Sequence, residues 1–158
     1  MIDLPHQGND VLRRGHALVL DDDRVDQMSH RRLLVKSGHF GRVTAFAMAI
    51  DALVWLREDA DDLVDLILFD IHLPGMTGFD FLAALSRDRP RAAAGALLVA
   101  MSSTLSPGEM QRLADEPGLA ALMDKPLEPA ALDALMVRGG RTFVPPARAY
   151  PQATRPGP

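Results

Sequence analysis

Four short runs along this chain are almost wholly apolar: residues 17–20 (ALVL), 66–69 (LILF), 96–101 (ALLVAM) and 119–123 (LAALM). Each has the length of a strand and shows no alternation, the pattern of a strand covered on both faces of a parallel sheet. A fifth strand is predicted at 42–46 (RVTAF). Between these runs the apolar residues fall at helical spacing. Residues 24–37 form a first helix with Val25, Met28, Leu33 and Leu34 as inward positions, ended by Gly38. Ala49, Ala52, Leu53 and Leu56, with Trp55, mark a second helix, and Phe79, Phe81, Leu82 and Leu85 a third. Pro107 opens a fourth, with Ser106 as its N-cap and Pro117 and Gly118 closing it; residues 128–137 make the last. Strands alternating with helices in this way predict an α/β fold: a doubly wound, five-stranded parallel sheet with helices on both faces and right-handed crossovers.

Polar residues with chemistry gather where the strands end. Asp21, Asp22 and Asp23 follow the first strand, Asp70 ends the third, Ser102 the fourth, and Lys125 comes just after the fifth. Ligands of open parallel sheets bind at those carboxyl ends. Asp23 is placed to cap the following helix. Acids at the end of a buried strand call for a compensating cation, and a hard divalent ion with oxygen ligands answers that need. A carboxylate can attack phosphorus and form an acyl phosphate, and a hydroxyl and an ammonium nearby can meet phosphoryl oxygens. The set therefore suits phosphoryl transfer, with Asp70 as the nucleophile.

With 158 residues, 47% apolar and 24% charged, the chain suits one domain with its own core. A net charge of −4 does not advertise nucleic-acid binding, and the absence of cysteine excludes disulfides, thiolate nucleophiles and thiolate metal sites. No apolar run has the length of a signal peptide or a membrane span, so a soluble, cytoplasmic protein is expected. Residues 1–15 read as a flexible extension, 16–138 as the folded domain, and 139–158 as a basic, proline-rich tail. His30 has no metal-ligand partner at helical spacing and is assigned a structural or surface role. Asp26 and Ser29 stand where larger apolar residues are expected, and they give the first helix a polar face suited to docking a partner protein.

The strings VLDDD (19–23), FDIHLPGMTG (69–78), AMSS (100–103) and DKP (124–126) occur in this order at matching strand ends. Over about residues 16–137 the chain resembles the response-regulator receiver domain of two-component signalling. The resemblance implies a flavodoxin-like sheet of order 2-1-3-4-5 and a stand-alone receiver that takes a phosphoryl group from a histidine kinase or phosphotransfer protein. It implies Asp70 as phosphoacceptor, and Mg²⁺ held through Asp22, Asp70 and the main-chain carbonyl of His72, with Asp21 completing the acidic pair. Ser102 is then the switch hydroxyl and Lys125 the phosphate-pairing cation, followed by a cis bond before Pro126. An unknown output protein would read the phosphorylated surface, and autodephosphorylation is expected. Pairing of two copies through the fourth and fifth helices is left open.

Two departures qualify the resemblance. Leu122 stands three residues before the lysine, where the family usually carries an aromatic residue, and serine replaces the commoner threonine at 102. A smaller or differently transmitted surface change on phosphorylation is therefore expected. His72 and Thr104, each two residues beyond a site residue, are expected to tune the lifetime of the aspartyl phosphate. Two other classes compete with a working receiver: a constitutive interaction module that never turns over phosphate, and an enzyme of another α/β family. The intact acids and lysine weigh against the first. The lack of GxGxxG and P-loop strings, and of an aspartate two residues after Asp70, weighs against the second.

Overall fold

Period-two alternation within the apolar strands sorts their side chains between two cores. The computed structural model describes residues 15–58, 64–88, 93 and 95–138. The expected extension at 1–14 and tail at 139–158 lie outside the described residues, as do 59–63 of the acidic loop. Five strands, β1 (Gly15–Leu20), β2 (Phe40–Phe46), β3 (Leu66–Asp70), β4 (Leu97–Ser102) and β5 (Leu119–Asp124), form one sheet. All pairings are parallel and the order is β2-β1-β3-β4-β5, as expected. The helices are α1 (Arg24–Lys36), α2 (Ala49–Glu58), α3 (Gly78–Asp88), α4 (Pro107–Ala114) and α5 (Pro129–Arg138).

Leu18, Leu20, Ile67, Phe69, Leu98, Ala100 and Leu122 point to one side of the sheet, where Leu53, Leu56, Phe81, Leu85 and Leu113 of α2, α3 and α4 cover them. The intervening residues Ala17, Val19, Leu66, Leu68, Val99, Met101 and Ala121 point to the other side, against Leu34 of α1 and Leu132 and Leu135 of α5. Each side chain therefore serves a different layer from its chain neighbours, and the central strands have no solvent face. Crossovers of this kind leave every strand's carboxyl end on one rim.

Strand and helix ends follow local chemistry. Asp23 caps α1 by accepting from the amides of Val25 and Asp26. Ser106 and Glu109 form a reciprocal capping box at the start of α4, with proline beside the cap. Gly38 and Gly75 lie at φ +79° and +77°, where a side chain would be strained. β2 starts two residues earlier than predicted, and Phe40, its first residue, buries its ring in the core beneath α1 and α5. Gly15, assigned to the extension from sequence, already pairs with Phe40 as the first residue of β1.

One predicted helix face is corrected. Val25 and Met28 are 72% and 53% exposed, not inward. Leu33 and Leu34 do face inward, as expected, and the third inward residue is His30, which is buried and accepts a hydrogen bond at Nε2 from the Leu127 amide at 3.3 Å. His30 thus supplies an acceptor to a buried amide between α1 and the loop before α5, a structural role.

Candidate functional site

The rim at the carboxyl ends of β1, β3 and β5 collects the acids and the lysine. Asp70, the last residue of β3, is almost fully buried; its Oδ1 accepts from the His72 amide at 2.9 Å and its Oδ2 from Lys125 Nζ at 2.6 Å. Asp21, just past β1 and 2% exposed, accepts at Oδ1 from the Asp23 amide at 2.9 Å. Its Oδ2 lies 2.7 Å from the same ammonium. A third carboxylate, Asp26 of α1, reaches Lys125 Nζ at 3.1 Å. An ammonium has three N–H donors, so three carboxylates engage every one.

Local backbone geometry fixes this arrangement. The Lys125–Pro126 peptide bond is cis, and the Lys125 amide donates to the Ser102 carbonyl at 3.1 Å, tying β5's end to β4's. Behind Asp70 the first turn of α3 comes so close that a Cβ on Gly78 would lie 2.8 Å from the Asp70 carbonyl oxygen and from Ile71 Cα. Only glycine admits that approach without displacing backbone.

Electrostatics sets the chemistry. Burial acts against the charge of Lys125, but Asp21 and Asp70 outweigh it and hold the ammonium well above its ordinary range. Burial pushes the Asp21 carboxyl up, and the bonds from Lys125 and the Asp23 amide offset this only in part. Asp21, Asp26 and Asp70 share one ammonium, and Asp22 adds a fourth carboxylate beside Asp21 and Asp70, so among the described residues this cluster holds more acids than cations. Oxygen atoms of Asp21, Asp22 and Asp70 lie within 4.8 Å of one another. An all-oxygen, strongly negative set of this size fits a hard divalent cation such as Mg²⁺.

Not every residue singled out from sequence meets at this point. Ser102 is buried at the end of β4, but its hydroxyl donates to the Thr104 carbonyl at 2.7 Å and accepts from the Thr104 amide at 3.2 Å. Thr104 is exposed beside it. Leu122 is fully buried in the core under α4 and takes no part in the rim. His72 turns its ring outward, where Nε2 lies 2.9 Å from Glu109 Oε1 in the first turn of α4. Asp26 and Glu109 were not recognised from sequence. The trace of Asp26 was an acid in a position better suited to an apolar residue; Glu109 stood only as a helix residue.

The family model described as the response regulator receiver domain matches residues 17–136. The sensory/regulatory protein RpfC of Xanthomonas campestris pv. campestris is 30% identical over 122 residues, which is 77% of this chain and 16% of that protein. The chain thus spans about a sixth of that relative's length. The two-component response regulator ORR13 of Oryza sativa subsp. japonica is 34% identical over 90 residues, covering 57% of this chain and 70% of that protein. Among solved structures, a response regulator receiver protein from Dyadobacter fermentans superposes with a TM-score of 0.70 at 29% identity, over 78% of this chain and 96% of that one.

Proposed function

We propose that this chain, which belongs to the response regulator receiver domain family, takes a phosphoryl group onto Asp70 and presents the changed surface to a partner protein. The observation that carries this reading is the ion pair of Lys125 Nζ with Asp70 Oδ2, 2.6 Å long, at the edge of an acidic group suited to a divalent cation. Receiver domains work with histidine kinases or phosphotransfer proteins, and a phosphohistidine on such a partner is the donor in this proposal.

One carboxylate oxygen of Asp70 attacks phosphorus; the new O–P bond forms as the P–N bond to the donor imidazole breaks, and that electron pair leaves with the imidazole. The His72 amide, already bonded to Oδ1, keeps the carboxylate oriented. Lys125 moves one of its N–H donors from the carboxylate to a phosphoryl oxygen. Ser102 does the same by releasing the Thr104 carbonyl. Asp22, Asp70 and the His72 carbonyl, with Asp21 behind them, would hold Mg²⁺, which when bound supplies positive charge to the phosphoryl oxygens. His72 and Thr104, each two residues beyond a site residue, tune how fast water removes the phosphoryl group in this reading.

Chemical class tests the reading. The chain is incubated with acetyl phosphate and Mg²⁺, and the phosphorylated product is then treated with neutral hydroxylamine. An acyl phosphate on Asp70 is cleaved, whereas a phosphate ester on Ser102 survives. Hydroxylamine-resistant label would overturn Asp70 as the acceptor.

A further inference from the structure

Lys125 has three acceptors, and they are not equivalent. Asp21 and Asp70 also belong to the group of oxygens that fits a divalent cation, whereas Asp26 does not. Asp26 sits on another element, in the first turn of α1, where the Asp23 cap fixes its backbone by accepting from its amide at 3.1 Å. Its contact is the longest of the three, and it is the most exposed of the partners, at 35% against 2% and 11%.

We propose that Asp26 is a positioning residue for Lys125. It holds the ammonium at the mouth of the site when Asp21 and Asp70 turn toward a cation or a phosphoryl group. Without it, Lys125 gives all its donors to the two carboxylates the cation needs, and so competes with the cation for them. Asp26 thereby lets one small pocket keep two positive charges side by side, as phosphoryl transfer requires. This rests on the reading of the acidic group as a Mg²⁺ site. An acid in the first turn also favours α1 through the helix dipole, but that effect does not depend on Lys125.

The dependence on Lys125 is therefore what the experiment measures. Mg²⁺ affinity is determined by titration calorimetry on the full chain, on Asp26→Asn, on Lys125→Ala and on the double variant, with Asp26→Glu as a conservative control. Asp26→Asn is expected to weaken Mg²⁺ binding about fivefold, the upper range for a partly exposed ion pair, and by less than twofold where Lys125 is already absent. Asp26→Glu is expected to stay within about twofold of the parent. An equal loss in both backgrounds, or none in the parent, would overturn the role of Asp26 while leaving the metal site standing. Failure of the parent itself to bind Mg²⁺ would overturn the metal reading and this inference with it.

Discussion

His72 Nε2 and Glu109 Oε1 lie 2.9 Å apart and join the residue two beyond Asp70 to the first turn of α4. The other oxygen of Glu109 accepts from the Ser106 amide at 2.8 Å, so one carboxylate serves both the helix cap and the loop from Asp70. Leu122 is sealed in the core and has no polar group with which to link the rim to α4. The contact of His72 with Glu109 is thus a direct polar route between the rim and α4. Losing it in His72→Ala is expected to raise hydrogen exchange at the amides of residues 106 and 108–110 about threefold, in line with a partly exposed side-chain contact. Unchanged exchange there would remove this route.

The Ser106 amide and then the His72 ring hold the Glu109 carboxyl below its ordinary value of 4.5. A lowered carboxyl stabilises the folded form above its unfolded pKa, and that contribution is lost as pH falls through the lowered value. The cap of α4 is therefore expected to remain intact at pH 5 and to open only below pH 4.5. Chemical shifts of residues 106–109 followed between pH 7 and 3 would report it; a transition centred above pH 4.5 would be the contrary result.

His30 titrates in the opposite sense from an ion-paired histidine. Burial lowers its pKa from 6.5, and the Leu127 amide needs its Nε2 unprotonated. Between the lowered value and 6.5 the unfolded chain binds the extra proton, so stability present above pH 6.5 falls as the pH drops below it. One proton limits the slope to about 1.4 kcal/mol per pH unit. Replacing His30 with leucine should abolish that part of the slope and, by stranding the Leu127 amide, cost about 1–3 kcal/mol at pH 7.5. Urea denaturation at pH 7.5 and 5.5 measures both; an undiminished slope would contradict the assignment.

Gly78→Ala places a methyl 2.8 Å from two backbone atoms beside Asp70. Backbone cannot swing aside as a flexible side chain does. The expected cost is about 1–3 kcal/mol of stability, with slower phosphorylation as the loop after the acceptor shifts. Denaturation midpoints equal to the parent's would show that the close approach is readily relieved.

Asp22 is exposed, but its carboxylate adds to an already uncompensated cluster. Without a divalent cation, Asp22→Asn should be as stable as the parent or more so, by up to about 1 kcal/mol. With Mg²⁺ at a hundred times the parent's dissociation constant the parent should gain about 2.7 kcal/mol, which chelation removes, and the variant, keeping only Asp21 and Asp70, should gain less. Equal Mg²⁺ stabilisation of the two proteins would exclude Asp22 as a ligand.

The parallel sheet and the meeting of Asp21, Asp22, Asp70 and Lys125 were legible because buried parallel strands are continuously apolar and end on one rim, whereas the strand order came with the resemblance to receiver domains. The facing of α1 was not. Val25 and Met28 satisfy an apolar period, yet His30 takes the inward position because the Leu127 amide, 97 residues away, needs an acceptor. Asp26 likewise acts through a lysine 99 residues later, and Glu109 through a histidine 37 residues earlier. Periodicity records which side chains avoid water, but it carries no trace of which distant polar atom each one meets.

Phosphoryl transfer to Asp70 is tested by intact mass after incubation with acetyl phosphate and Mg²⁺, for the parent and for Asp70→Asn. The parent is expected to gain a single phosphoryl group, suppressed by chelation, and the variant none. A parent that gains nothing, or a variant that gains as much, would contradict it.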